Sequence, residues 1–393
     1  MMKGIKDRVA IIGMGCSKFG ERWDANASDL MIEAVQEAYI DAGLQTDDIN
    51  AAWVGTASSF RTAQPVAEAL KFDYIPITRV ENACATATEA FRNASYAVAA
   101  GIYDIVLAVG VEKLKDSGYS GLAIPEAPNS GVTPAAPPPS QFAMAATRYF
   151  HKYGISLDEG KNTLANIAVK NHHNGSLNPR AHFQKEITHS QVINAPLIAS
   201  PLGLYDCCGV SDGAAAAIIT TPEIARTLKQ DYVLVKALGL SVGAFGMLRD
   251  DWDFTYFPET VKAAESAYTE AGITDPKKEV DLAMVHDCFT ITELIIYEDL
   301  GFSDRGEGSK DVENGKYSLE GSLPVNTDGG LKCFGHPVGA SGIRMIYEVY
   351  KQLSGKAERR QLKKANIGLT HNLGGRPGSF TCSIGIFGSA DTA

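Results

Sequence analysis

Three stretches of the chain carry side chains able to do covalent and proton-transfer chemistry. In VENACATATEAF, Cys84 stands before small residues and threonines that read as the start of a helix. A thiol at a helix N-terminus faces the positive end of the macrodipole and unpaired N–H groups, which can bring its pKa from about 8.5 into the range of roughly 3.5–7.5. In NTDGGLKCFGHPVGASG, His336 sits in a glycine-dense loop entering another helix, and glycines let backbone approach a ligand closely. In VDLAMVHDCFTITELII, His286 and Cys288 lie two apart where an apolar, strand-like run gives way to a helical one. A metal site would want ligands at spacings such as Cys-x-x-Cys, and no such pair of units occurs. The adjacent pairs His172-His173 and Cys207-Cys208 read as a helix-surface pair and a buried turn. A cysteine-protease signature is also missing. The expected set is therefore two thiols, Cys84 and Cys288, with two imidazoles, His286 and His336, and no metal.

The elements that must position this set repeat. LMIEAVQEAYIDAGLQTDDINAAWVG, from Leu30, resembles TVKAAESAYTEAGITDPKKEVDLAMVH, from Thr260. Each predicts an amphipathic helix ended by a glycine C-cap, Gly43 or Gly272, and then a buried strand. Cys84 and His336 each stand in a loop before a small-residue helix, followed by the strands DIVLAVGV and NIGLTHN. Strand–helix alternation predicts parallel sheets covered by helices, and duplication predicts two such halves packed together. The expected bounds are residues 1–113 with 211–230 for the first half and 231–393 for the second. Residues 114–210 form an inserted loop domain, read as a lid, with the proline-rich AIPEAPNSGVTPAAPPPS and the basic KNHHNGSLNPRAHFQKE.

Bulk composition narrows the partners. The 393 residues, 45% apolar and 21% charged, are those of a soluble globular chain of two or three domain-sized units. A net charge of -10 argues against nucleic acid or anionic membrane as the main partner, and no apolar run approaches the roughly 18–20 residues of a membrane span. The seven scattered cysteines fit a reducing compartment, so a cytoplasmic protein is expected. The early GMGCSKFG has the wrong glycine spacing for a dinucleotide fingerprint.

Taken jointly, HDCF at 286–289, GHP at 335–337, and LNPRAHFQKE followed by DCCGVSDGAAA resemble the thiolase superfamily over nearly the whole chain. Within it, the chain resembles specifically the sterol-carrier-protein-2 type and its archaeal and bacterial relatives. It implies the α/β thiolase fold, two duplicated βαβαβ halves in a layered α/β/α/β/α core with an inserted loop domain. It also implies that Cys84 carries the acyl group and His336 activates it. Asn372 of HNLGGRPG stands where many thiolases have their second cysteine, and Cys288 supplies that thiol instead. The oxyanion holes implied are His286 with His336, and the N–H groups of Cys84 and Gly374. Phe289 is assigned to the substrate pocket, and Arg180 and Lys185 of the lid to the phosphates of CoA. No resident cofactor is implied, since CoA enters as substrate. The expected reaction is CoA-dependent cleavage of a 3-ketoacyl-CoA, or its reverse, on a bulky, branched or aromatic substrate such as benzoylsuccinyl-CoA. An acetoacetyl-CoA thiolase and a condensing synthase of the same fold are the alternatives. A homodimer is expected, with a small OB-fold zinc-ribbon protein as a further partner.

Overall fold

The structure, a computed structural model, describes residues 4–117, 137–243 and 252–392. The first half runs β1 (Ala10–Cys16), α1 (Ala27–Ala42), β2 (Ala51–Gly55), α2 (Gln64–Leu70), β3 (Ile77–Val80), α3 (Thr86–Ala99) and β4 (Ile105–Glu112). An insertion follows with α4 (Pro138–Tyr153), α5 (Leu157–Ser176), α6 (His189–Ile193) and a ribbon of β5 (Leu197–Ala199) and β6 (Leu202–Gly203). The chain then returns through β7 (Gly213–Thr220) and α7 (Pro222–Leu228). The second half holds β8 (Val233–Val242), α8 (Pro258–Ala271), α9 (Pro276–Glu279), β9 (Leu282–Met284), α10 (Thr290–Asp299) and α11 (Gly308–Glu313). It closes with α12 (Gly330–Phe334), α13 (Ser341–Leu353), β10 (Ile367–Arg376) and β11 (Ser379–Ser389). The proline-rich stretch of the expected lid lies mostly outside the described residues; Pro138 opens α4 in its first turn, where its missing N–H costs nothing.

The duplication is visible in the topology. Nine strands form one sheet in the order β3-β2-β4-β7-β1-β8-β11-β10-β9, so β2-β4-β7-β1 in one half is matched by β9-β10-β11-β8 in the other. The halves meet at β1 and β8 through the pairs Ala10–Leu234 and Ile11–Val233. Both repeated helices end as expected, with Gly43 at φ 70° and Gly272 at φ 78°, the left-handed conformation that glycine adopts without a Cβ clash.

The expected all-parallel pairing is corrected. β2 runs parallel to β3 and β4, and β10 to β9, but β7, β1, β8 and β11 join the sheet antiparallel. The reason is local at β10–β11, whose register closes at Arg376–Ser379 and leaves a two-residue turn that can only make a hairpin.

Layering follows from the period-two alternation of the strands. On β4, Val106 and Ala108 join the core shared by both halves, while Leu107, Val109 and Val111 face the core under α1. Helices α3 and α13 pack on each other and against strands of both halves, whereas α1 and α8 cover the outer faces. Each of the two central helices is preceded by one of the loops singled out in the sequence, so stacking the halves brings Cys84 and His336 together.

Candidate active site

Cys84 lies between β3 and α3 in a tight turn. Ala83 takes a left-handed φ of 49°, uncommon for a residue with a Cβ, and its N–H is held by Glu81 at 2.7 Å. The turn rests on Gly374 of β10: a Cβ there would stand 2.7 Å from the Cys84 nitrogen and 3.0 Å from the Ala83 Cβ. The donors that bear on the Cys84 sulfur are its own N–H and that of Gly375, one residue beyond the expected Gly374. They pull the thiol pKa down, yet burial outweighs them and pushes it up to about 11. The expectation of an activated, low-pKa thiol is thereby corrected: dehydration of the sulfur costs the anion more than the helix terminus returns.

One ligand atom each of Cys84, His286 and His336 lies within 4.8 Å of the others, and the two imidazole rings meet edge to face at 5.1 Å between centroids. Their hydrogen-bond partners favour opposite tautomers. Ser341 Oγ donates to the Pro337 carbonyl at 3.1 Å, so at its 2.8 Å contact with His336 Nδ1 it accepts. His336 thus carries its proton on Nδ1, and its buried Nε2 has no partner. Asn372 Nδ2 donates to His286 Nδ1 at 3.2 Å, which puts the His286 proton on Nε2. The same Asn372 nitrogen donates to Met345 Sδ at 3.9 Å, which is consistent with that amide orientation. One imidazole therefore presents a base and the other a donor. Burial, assisted by the Arg344 charge, pushes His336 down to about 3, and burial with His336, His371 and Arg344 pushes His286 well below the usual range. Both are neutral at physiological pH. Cysteine and histidine are also zinc ligands, but a cation would need lone pairs from both rings, and Asn372 leaves His286 showing an N–H.

The His-Asp-Cys spacing has a simple reason. In extended backbone, residues two apart share a face. Asp287 points the other way and accepts from Asn171 at 2.9 Å and from the N–H groups of Leu331 and Lys332 at 2.6 and 3.1 Å, capping α12. The middle residue thereby ties the His286–Cys288 segment to the helix that leads into the His336 loop. Cys288 is buried with its sulfur 3.6 Å from Thr292 Oγ1. It stands beside the Cys84–His286–His336 trio rather than in it. Burial first, then the nearby Cys208 and Cys84, hold its pKa well above the ordinary thiol value.

The remaining expected site residues separate. Phe289 is buried and stacks on Phe142 of α4 at 4.6 Å. Arg180 is committed within the fold: it pairs with Glu37 at 3.0 Å, donates to the Cys16 carbonyl and covers the Tyr347 ring. That engagement removes it as a free phosphate ligand. Lys185 is exposed, and its carbonyl accepts from His172. Ser341 and Glu112 escaped sequence reasoning, and Asn372 was noted there only as the occupant of the cysteine slot. Glu112, fully buried at the end of β4, accepts from Gly339 N–H at 3.1 Å and so holds the His336 loop against the first half.

The duplicated α/β halves bring a cysteine and two histidines together at their junction, a set able to carry covalent acyl transfer. The chain belongs to the thiolase family: residues 9–223 match the thiolase N-terminal domain and residues 246–384 the thiolase C-terminal domain-like model. It is 41% identical to the acetyl-CoA acetyltransferase of Methanothermobacter thermautotrophicus, over 96% of this chain and 99% of that one. It is 31% identical to benzoylsuccinyl-CoA thiolase subunit BbsB of Thauera aromatica, over 94% of this chain and 96% of that one. Among solved structures, the Ltp2-ChsH2(DUF35) aldolase superposes with TM-score 0.84 at 27% identity, covering 98% of each chain. The protein is an acyltransferase, and among the described residues no helix is long and apolar enough to cross a membrane.

Proposed function

We propose that the protein interconverts acetoacetyl-CoA plus CoA with two acetyl-CoA through an acetyl-Cys84 intermediate. The observation that carries this reading is the meeting of Cys84, His286 and His336 within 4.8 Å, with Ser341 and Asn372 favouring opposed tautomers of the two imidazoles. His336 Nε2 takes the Cys84 proton as the sulfur attacks the C3 ketone. The oxyanion then receives N–H from His286 and from the newly protonated His336. Removing one such donor typically costs about 2.7–4 kcal/mol of transition-state stabilisation. Scission of C2–C3 releases the acetyl-CoA enolate, held by the backbone N–H groups of Cys84 and the Gly374–Gly375 turn and protonated by Cys288. The Cys288 thiolate then takes the proton of incoming CoA, whose sulfur attacks acetyl-Cys84. Cys84 leaves with the proton returned by His336. The double displacement makes the kinetics ping-pong.

Acetyl is preferred over the bulky acyl groups first expected because identity to the archaeal acetyltransferase, 41%, exceeds the 31% to the benzoylsuccinyl-CoA thiolase subunit, and because Phe142 and Phe289 stack closed beside Cys288. The pairing of Ltp2 with ChsH2(DUF35) in that aldolase supports a hetero-oligomer with such a partner around a thiolase homodimer. Thiolysis of acetoacetyl-CoA and benzoylsuccinyl-CoA, with mass spectrometry of Cys84 after acetyl-CoA, tests the reading. It requires a 42-dalton adduct (the mass of an added acetyl group, about 42) on Cys84, and faster turnover of acetoacetyl-CoA than of benzoylsuccinyl-CoA. An unmodified Cys84 overturns the mechanism, and the opposite ranking overturns the substrate.

A further inference from the structure

Cys208 has no part in the reaction just described, yet the fold sets it opposite Cys288. Cys207 and Phe289 form an antiparallel bridge, and the Cys208 N–H donates to the Cys288 carbonyl at 2.9 Å. In an antiparallel pairing these make Cys208 and Cys288 a directly opposed pair, with Cα atoms about 5.5 Å apart and side chains on one face. A disulfide asks for a Cα separation of roughly 4.4–6.8 Å. Cys208 opposes ionisation of Cys288, and both feel Cys84. Cys208 is partly exposed, and all seven cysteines are free.

Resting thiols here are protonated and slow to oxidise, since burial raises all of them. Turnover changes that. Once Cys288 has protonated the enolate, it is a thiolate beside an acylated Cys84 that can no longer react. We propose that Cys208 is a resolving thiol for Cys288, so that a hydroperoxide acting on the acyl-enzyme closes a Cys208–Cys288 disulfide. The inference rests on the acyl-Cys84 reading above. The Cys288 thiolate attacks the distal peroxide oxygen; the O–O bond breaks, and the departing oxygen takes a proton to leave as water or alcohol. Cys288 is now a sulfenic acid. The Cys208 sulfur attacks it, the S–S bond forms, and hydroxide leaves with the Cys208 proton as water. Peroxide has been reduced by two electrons and the dithiol oxidised by two. The acid/base thiol is then masked while the acyl group stays on Cys84, and a dithiol reductant reverses the block.

The full chain is loaded with acetyl-CoA, freed of CoA, treated with hydrogen peroxide, alkylated and peptide-mapped. Acetyl on Cys84 together with a Cys208–Cys288 cross-link is the expected result, with thiolysis restored by dithiothreitol. In Cys208→Ser, basal thiolysis persists, but peroxide drives Cys288 to the sulfinic acid and dithiothreitol no longer restores activity. Acetyl on Cys84 with no cross-link, or with a disulfide that includes Cys84, overturns the resolving role. So does a Cys208→Ser enzyme that recovers as the parent does. Absence of acetyl from Cys84 fails the mechanism itself, and then a cross-link formed without acyl loading overturns the turnover dependence as well.

Discussion

The amide of Asn372 on β10 and the imidazole of His286 beyond β9 are joined at 3.2 Å, with the amide donating, so the ring's other nitrogen carries the proton. An amide in the slot of a second cysteine thus makes the histidine a hydrogen-bond donor.

Asn372→Asp reverses that contact. A carboxylate only accepts, so His286 shifts its proton to Nδ1 and turns a lone pair toward the oxyanion. Thiolysis kcat is expected to fall by roughly 10²–10³, the usual effect of removing one oxyanion donor, with KM changed little. Steady-state kinetics on acetoacetyl-CoA check it, and a KM effect alone would sink the tautomer argument.

The neutral resting pair predicts an unusual pH response of the nucleophile. With the Cys84 thiol pushed up to about 11 and His336 down to about 3, no thiolate–imidazolium pair preforms. At pH 8 only about one sulfur in a thousand is ionised, and proton transfer to His336 accompanies attack. The rate of iodoacetamide labelling of Cys84 should therefore keep rising tenfold per pH unit through pH 9, where an ordinary thiol levels off. A plateau below pH 8 would show the ion pair to exist in the free enzyme.

Gly374→Ala tests the rest beneath the nucleophile. The added Cβ meets backbone, the Cys84 nitrogen at 2.7 Å, and neither side can move independently of β10 or the Cys84 turn. Overpacking of this kind costs about 1–3 kcal/mol of stability. Displacing the nucleophile by a fraction of an ångström to 1 Å is expected to lower kcat by about 10²-fold. Thermal unfolding and acylation kinetics on one preparation separate the two effects.

What the sequence disclosed follows the range of each interaction. The glycine caps at Gly43 and Gly272 and the helices they close were readable because caps are local. The trio of Cys84, His286 and His336 was readable because nucleophile and base need particular residue types in loops, whatever their separation along the chain. Mixed pairing was not, since a strand's direction depends on its neighbour: β7 lies between β4 and β1 although the insertion separates it from both in sequence. Arg180 misled because a cation in a basic segment looks free until Glu37 of the first half is folded against it. The raised Cys84 pKa was hidden for a similar reason, as the helix terminus is visible in sequence and the depth of burial is not.

Glu112 offers the last test, because it acts on His336 without touching the reaction. Its carboxyl oxygens are fully buried among hydroxyl and N–H donors. Oε1 accepts from the hydroxyls of Thr56, Ser58 and Ser59 at 3.1, 2.9 and 2.7 Å and from the N–H groups of Ser58 and Ser59 at 3.0 and 2.9 Å. Oε2 accepts from Ala57 N–H at 2.7 Å and from Gly339 N–H at 3.1 Å. Glu112→Gln keeps the shape but sets an amide donor against two backbone donors or a cluster of hydroxyls and N–H groups. Hydrogen bonds to a charged group contribute about 1.5–3 kcal/mol each, and an unsatisfied buried group costs a similar amount. Stability is expected to fall by about 2–4 kcal/mol, read as a lower denaturant midpoint with the slope unchanged. Because Gly339 lies three residues after His336, the same change should loosen the base and lower kcat, while leaving the iodoacetamide reactivity of Cys84 in the free enzyme near that of the parent. Equal losses in labelling and in kcat would mean that Glu112 holds the Cys84 turn rather than the His336 loop.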